Sequence, residues 1–457
     1  MTRLRVKHFG PIRNGVKNNG WIEFKRVTVF VGNQGSGKST LAKLYSTFSW
    51  IEKALVRGDY DAKWFERKNK FIKPYLMYHR LENYLSADTE IEYEGEAYVI
   101  HYLRGQLHVS ELKGRKYHLP QIMYVPAERN FIAYVRHPRE LKLSSDSLKE
   151  FLTEFDAAKA NMKGALRLPI NQAELEYDKL NDILNIRESD YKLRLADASS
   201  GFQSAVPLHL VSHYLANTVQ ERSEERQETM STEELERFRK EVVEIFSIDS
   251  LTEEQRRIAL SALSARFNKT AFINIVEEPE QNLYPRSQWS VLQSLLQFNN
   301  QGQNNRLVLT THSPYVVSYL TIAVQGKHLH DSILEKRAEA LLTSLAKVIP
   351  LHALVDANEL AIYQADETTG SIENCPCREA FRRTITTSTN HFVKVMICSI
   401  NFSISRRHWR REFPQCSMSK WPLPPRTVWP VRQHIASCRL RRSRVRRDLD
   451  RHSQKPG

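Results

Sequence analysis

Gly32-Asn33-Gln34-Gly35-Ser36-Gly37-Lys38-Ser39 is the stretch on which the reading of this chain turns. It fits the phosphate-loop pattern G-x-x-x-x-G-K-S/T in full. Its flanks supply the context the pattern needs. Upstream, Val27-Thr28-Val29-Phe30-Val31 is a β-branched and aromatic run that ends where the glycines begin. Downstream, Thr40-Leu41-Ala42-Lys43-Leu44-Tyr45 opens a helix with apolar residues at helical spacing. Gly32, Gly35 and Gly37 permit backbone conformations that aim several N–H groups at phosphates. The helix N-terminus adds its partial positive charge. Lys38 is expected to reach the β- and γ-phosphates and the Ser39 hydroxyl to hold Mg²⁺. The whole run Gly32, Asn33, Gln34, Gly35, Ser36, Gly37, Lys38, Ser39 and Thr40 is therefore assigned to binding ATP with Mg²⁺.

Working outward, Leu4, Val6 and Phe9 start a first strand, and Trp21, Ile22 and Phe24 running on into Val27–Val31 predict a second. Residues 90–125 alternate apolar and polar and predict a set of antiparallel strands that ends with Gln121–Val125. Residues 139–190 read as charged helix interrupted by Pro169, and 216–265 as a second polar helical stretch. Such helices are solvated surface in the simplest reading, and a partner-docking or DNA-clasping arm in the sharper one. Two short apolar runs, Phe272–Val276 and Leu307–Leu309, have the character of buried parallel strands.

Both of those runs end at residues with chemistry. Phe272–Val276 is followed by Glu277-Glu278-Pro279-Glu280, the place where a buried strand delivers acids to the phosphates. Glu277 is expected to hold Mg²⁺, and Glu278 to act as general base on the attacking water. Leu307–Leu309 is followed by Thr310-Thr311-His312-Ser313-Pro314, with His312 where a γ-phosphate sensor would stand. Ala198-Ser199-Ser200-Gly201-Phe202-Gln203 precedes an apolar helix, so Ser199 with the neighbouring N–H groups makes a second anion cradle. Taken alone, that segment is a common N-cap.

In this order the four elements resemble the ABC ATPase family: phosphate loop, signature, acidic strand end, switch histidine. The resemblance covers residues 1 to about 370. It implies an α/β fold, a P-loop NTPase of ABC type with a mixed sheet, an antiparallel β lobe, an inserted helical region and a disordered C-terminal tail. It further implies a head-to-tail homodimer or higher homo-oligomer in which Ser199 and Gly201 complete the ATP site of the partner subunit. The signature departs from Leu-Ser-Gly-Gly-Gln at Ala198, Ser200 and Phe202. The expected divisions are 1–138 with the phosphate loop, 139–265 with the insertions and signature, and 266–374 with the acids and switch histidine.

Lys38 and Ser199 lie 161 residues apart and Ser199 and Glu277 78 apart, wider than in transporter ATPases. The runs Glu277–Pro285, Tyr124–Arg129 and Thr311–Pro314 look like bacterial AAA-family ABC ATPases, which include the OLD nucleases and the ATPase subunits of Septu, PARIS and retron antiviral systems. In that comparison Glu128 or Arg129 stands at the Q-loop position. The few acids after His312 (Asp356, Glu359, Asp366, Glu367) lack the arrangement of a Toprim nuclease. The resemblance thus implies an ATPase subunit that gates a separate nuclease or toxin effector. The alternative is a RecF- or SMC-like ATPase acting directly on DNA, against which stand helical stretches too short and poorly heptadic for a long coiled coil.

Composition bounds the rest. The chain has 457 residues, 41% hydrophobic and 26% charged, as in a globular protein. No run approaches the roughly 18 apolar residues needed to span a bilayer, and the N-terminus lacks a signal-peptide pattern, so a cytoplasmic protein without a membrane partner is expected. The net charge of +15 suggests nucleic acid. Residues 375–457, however, hold 19 Lys+Arg and 4 Asp+Glu, leaving 48 of each in residues 1–374. That last stretch also holds all five cysteines and loses every apolar period. A basic nucleic-acid-binding tail, a zinc site built on Cys375 and Cys377, and out-of-frame translation compete there. The last accounts best for Arg, Ser, Cys, Trp and Pro rising together while patterning disappears.

Overall fold

The computed structural model describes residues 2–375, apart from 113–116, 136–142, 144, 226–231, 249, 253–254, 257–258 and 261–269. The basic tail from 376 onward, with the three readings of it, lies outside the described residues.

Apolar alternation along Thr2–Phe9 makes β1, which buries every second residue over most of its length. It belongs to a five-stranded antiparallel sheet with β3 (Ile22–Phe24), β5 (Leu85–Glu94), β6 (Tyr98–Leu103) and β7 (Gln106–Glu111), in the order β3-β1-β5-β6-β7.

The central sheet has seven strands. From one edge to the other they are β2 (Gly15–Val16), β16 (Ser371–Asn374), β15 (Leu360–Ala365), β4 (Val27–Val31), β14 (Arg306–Thr311), β13 (Ala271–Glu277) and β8 (Pro120–Val125). The five from β15 to β8 run parallel. β16 is antiparallel to β15, so the sheet is mixed.

Each of the five parallel strands feeds two cores, because successive side chains point to opposite faces. Val27 and Val29, Leu307 and Leu309, and Phe272 and Val276 face one cluster. Phe30, Val308, Ile273 and Ile275 face the other. Helix α1 (Lys38–Arg57) fills the second face, between the central sheet and the antiparallel lobe. The first face carries residues of α4 (Asp146–Ala160), α5 (Ser200–Glu225), α7 (Pro285–Asn300) and α8 (Pro314–Glu335). The shorter helices α2 (Ala62–Glu66), α3 (Asn130–Tyr134) and α9 (Leu342–Ala346), together with α6 (Thr232–Ser247), complete the set drawn on here. No described helix is long and apolar enough to cross a membrane.

Three sequence expectations need correction. The predicted second strand is two strands in two sheets, β3 and β4. They are separated at Lys25, whose N–H donates to Thr28 Oγ1 (3.0 Å) while that hydroxyl donates back to the Lys25 carbonyl (3.3 Å). Gln121–Val125 does not continue the antiparallel set but forms β8, in parallel register with β13 (Val125 beside Val276). Among the described residues of 139–190, α-helix is confined to α4, whose N-cap Ser145 accepts from Leu148 N–H. Beyond it lies a four-stranded antiparallel sheet of β9 (Leu166–Arg167), β10 (Glu174–Asp178), β11 (Ile183–Arg187) and β12 (Lys192–Arg194). Its charges alternate with Leu175 and Ile186, which are fully buried, and pair across strands as Arg187–Glu174 and Lys192–Glu176.

Candidate nucleotide site

Parallel pairing in register brings the chemistry-bearing residues to one edge of the central sheet. Glu277 lies beside Thr310, and Thr311 beside Val31, so three strands end together. Ligands of open α/β sheets bind at this carboxyl edge.

The 32–37 loop leaves β4 and enters α1. Gly32, Gly35 and Gly37 all take positive φ (148°, 73° and 98°), which a side chain would strain. A Cβ on Gly32 would collide with the Ala365 carbonyl oxygen on β15, whereas Gly35 has nothing within 4 Å on its open side. Lys38 is 4% exposed. Its ammonium donates to the Asn33 carbonyl (2.7 Å), and the Ser36 hydroxyl donates to the same oxygen (2.8 Å). Burial lowers the Lys38 pKa, against the upward pull of Glu278, Glu280, Glu367 and Glu277. Asn33 also donates through Nδ2 to Glu367 (2.6 Å), which ties the loop to the turn after β15. Gln34 is exposed, Ser39 half-buried and Thr40 buried in the first turn of α1.

Glu277 and Glu278 sit in contrasting surroundings. Glu277 is buried, and its Oε2 accepts the Ala127 N–H (3.1 Å). Its Oε1 meets no hydrogen bond of ordinary geometry, and neither does the Tyr124 hydroxyl or Thr310 Oγ1. Burial, then the Glu277 charge, holds Tyr124 well above the usual phenol range, so it stays protonated. Glu278 has φ +43°, and its Oε1 lies 3.0 Å from His312 Nε2. His312 Nδ1 lies 3.1 Å from the Gly32 carbonyl and 3.3 Å from Lys38 Nζ. With Lys38 donating to Nδ1, the neutral ring donates from Nε2 to Glu278. A protonated ring donates to Gly32 and Glu278 at once. The 32–37 loop, Glu278 and His312 are thus one connected set.

Two residues that sequence reasoning passed over or misjudged are central here. Glu280 Oε1 accepts from Thr311 Oγ1 (2.7 Å), His312 N–H (2.7 Å) and Ser313 N–H (3.1 Å), so it fixes the turn that carries the histidine. The acid-rich run flagged the segment but not this task. Arg129 is fully buried and donates to backbone carbonyls, not toward the open side of the loop. Glu128 beside it is exposed, on a groove shared with Arg80 and Gln281.

Ser199 and Gly201 stand at the start of α5, away from residues 32–39 in the hydrogen-bond pattern. A Cβ on Gly201 would come within 3.0 Å of the Asn282 carbonyl, so this helix start packs on the loop after β13. Gln203 donates through Nε2 to the Ala196 and Ala198 carbonyls (2.9 and 3.1 Å), which holds the turn before the helix. Ser199 is exposed.

A phosphate loop between a buried parallel strand and α1, acids ending a neighbouring strand and a histidine ending the strand between them give a mixed α/β fold that resembles ABC-type ATPases. No family model matches the chain, and no curated protein matches it. Among solved structures, the chain is similar to an SMC head domain from Thermotoga maritima, at 12% identity over 69% of this chain and 90% of that one, with a TM-score of 0.30. An Smc head domain with an extended coiled coil bound to the C-terminal domain of ScpA, from Pyrococcus furiosus, gives 11%, 84%, 98% and 0.32. A nucleotide-free ATP-binding cassette from an ABC transporter gives 12%, 86%, 99% and 0.26. Likeness at this level says nothing of what the chain binds.

Proposed function

We propose that the chain binds ATP with Mg²⁺ on the Gly32–Ser39 loop and hydrolyses it. The observation that carries this reading is the linked series Lys38, His312 and Glu278, which joins a phosphate-loop lysine to an acid at the end of a neighbouring strand. The donor set fits a hard divalent cation. The buried Glu277 Oε1, with the Tyr124 hydroxyl beside that carboxylate, makes no hydrogen bond of ordinary geometry, and a cation would complete it. Ser39 and Glu277 would hold that ion, which supplies charge neutralisation across the β- and γ-phosphates.

The remaining roles belong to the chain itself. Lys38 would exchange its contact with the Asn33 carbonyl for phosphate oxygens. The Gly35 face of the loop has room for them. Glu278 would orient the attacking water and accept its proton. His312 would hold the Glu278 carboxylate and register the γ-phosphate through the same ring. Ser199 and Gly201, at an exposed helix start on the same chain, would complete the site of a second copy in a head-to-tail homodimer. Residues 1–374 would be the ATPase unit.

Phosphate release from Mg-ATP by the purified full chain tests the reading. Turnover that disappears in Lys38→Ala supports it, and release that survives that substitution points to a contaminant. The finer reading, an antiphage ATPase gating a nuclease or toxin, rests on the motif resemblance. Co-purification from the native operon tests it, and a preparation with neither partner counts against it. Strong stimulation of turnover by DNA would favour the RecF- or SMC-like alternative instead.

A further inference from the structure

Arg129 is the largest of the fully buried side chains among the described residues. Among those residues it forms no ion pair. All four of its hydrogen bonds go to backbone carbonyls: Nε to Ser204 (3.0 Å), Nη1 to Pro126 (3.2 Å) and Glu277 (2.7 Å), and Nη2 to Glu278 (2.7 Å). One planar fork therefore joins the turn after β8, the end of β13 and the first turns of α5.

The position matters because Glu278 has a backbone conformation that non-glycine residues avoid, at φ +43°. That conformation is strained for a residue with a side chain. Its N–H donates to the Thr310 carbonyl (2.9 Å), and its own carbonyl is turned inward onto Arg129. With both peptide groups held, the side chain is left to reach His312 Nε2. Charge-assisted bonds of the kind Arg129 makes are stronger than neutral ones, and they hold that strained peptide in place. The same loop is tied to α5 a second time, where Asn282 Nδ2 donates to Ser204 Oγ (3.0 Å). Gly201 packs against the Asn282 carbonyl one turn away.

We propose that Arg129 is a positioning residue that holds the Glu278 carboxylate toward His312 by clamping the Glu277 and Glu278 carbonyls to the start of α5. The clamp links the helix that begins at Ser199 and Gly201 to the acid that acts on water. Movement of that helix start therefore reaches Glu278 through Arg129, beside the Asn282–Ser204 tie. The proposal rests on the reading of Glu278 as general base. A lysine in this place keeps the charge but cannot span four carbonyls in one plane.

Full-length wild type and Arg129→Lys would be compared by affinity for a fluorescent ATP analogue, by kcat for phosphate release, and by amide hydrogen exchange. The expected result for Arg129→Lys is affinity within about threefold of wild type and kcat about 100-fold lower, as for a displaced catalytic group. Exchange should rise in peptides covering 276–282 and 200–206 while α1 stays protected. Unchanged kcat overturns the proposal, since charge alone then suffices. General deprotection, α1 included, also overturns it, because Arg129 is then a brace for the whole fold. If wild type shows no turnover, the ATPase reading fails separately. The exchange pattern then decides the clamp, and unaltered protection at 276–282 sinks it.

Discussion

Lys38 is held in the structure by a carbonyl, a histidine and burial, with four acidic groups acting on it electrostatically. Its ammonium should be the principal attraction for nucleotide. Lys38→Ala is expected to weaken ATP binding at least tenfold while leaving the thermal midpoint near that of wild type, since removal relieves a desolvated charge; a titration of fluorescent nucleotide with a melting curve checks both. His209 offers a pH test. It is buried on α5 against Ser294 and Phe298, and burial pushes its pKa down to about 3, with His213 beside it depressed as well. The folded state therefore binds fewer protons than the unfolded one. Stability is complete above the unfolded value of about 6.5 and is lost as pH falls below it. Between pH 6.5 and 5, ahead of the carboxylates, wild type should lose on the order of 1–2 kcal/mol more than His209→Gln. Parallel denaturation curves for the two would contradict this. At this scale the phosphate loop, the two glutamates and His312 are legible in sequence, because each motif is local. Arg129 and Glu280 are not, because what they hold is backbone brought near by the sheet.

The elements that carry these residues depend on close backbone approach. Gly32 leaves β4 at φ 148°, against the Ala365 carbonyl of β15. Gly32→Ala must open the pairing of those two strands at their ends or refold the loop. A loss of about 2–3 kcal/mol in stability together with lost ATP affinity is expected, and denaturant titration measures it. Strands with short apolar runs buried on both faces are readable, as β13 and β14 show, because such burial leaves one interpretation. The β9–β12 sheet was not. Its strands are two to five residues long, and charges alternate with apolar residues along β10 and β12, a pattern that reads as surface helix. β8 was misplaced for a related reason: its residues look like its antiparallel predecessors, and only contact with β13, about 150 residues onward, sets its direction.

For the whole molecule, the amino-acid sequence from residue 376 onward keeps no apolar period that would add to either core. A chain ended after residue 375 is therefore expected to melt within about 2 °C of the full chain, a difference well under ~1 kcal/mol for a protein of this size. A drop of ten degrees would show that the basic tail contributes to the fold. The charge balance of residues 1–374 also means that DNA affinity, if present in the full chain, should fall sharply in that truncation. At the edge where three strands end together, the proposed ATPase has Glu278 as its base. The most direct measurement pairs ATP binding with phosphate release for wild type and Glu278→Gln, both with Mg²⁺. Wild type should turn over, and Glu278→Gln should bind ATP within a few fold of wild type while releasing phosphate about 100- to 1,000-fold more slowly. Equal release by the two proteins, or none by wild type that binds ATP, would contradict the account.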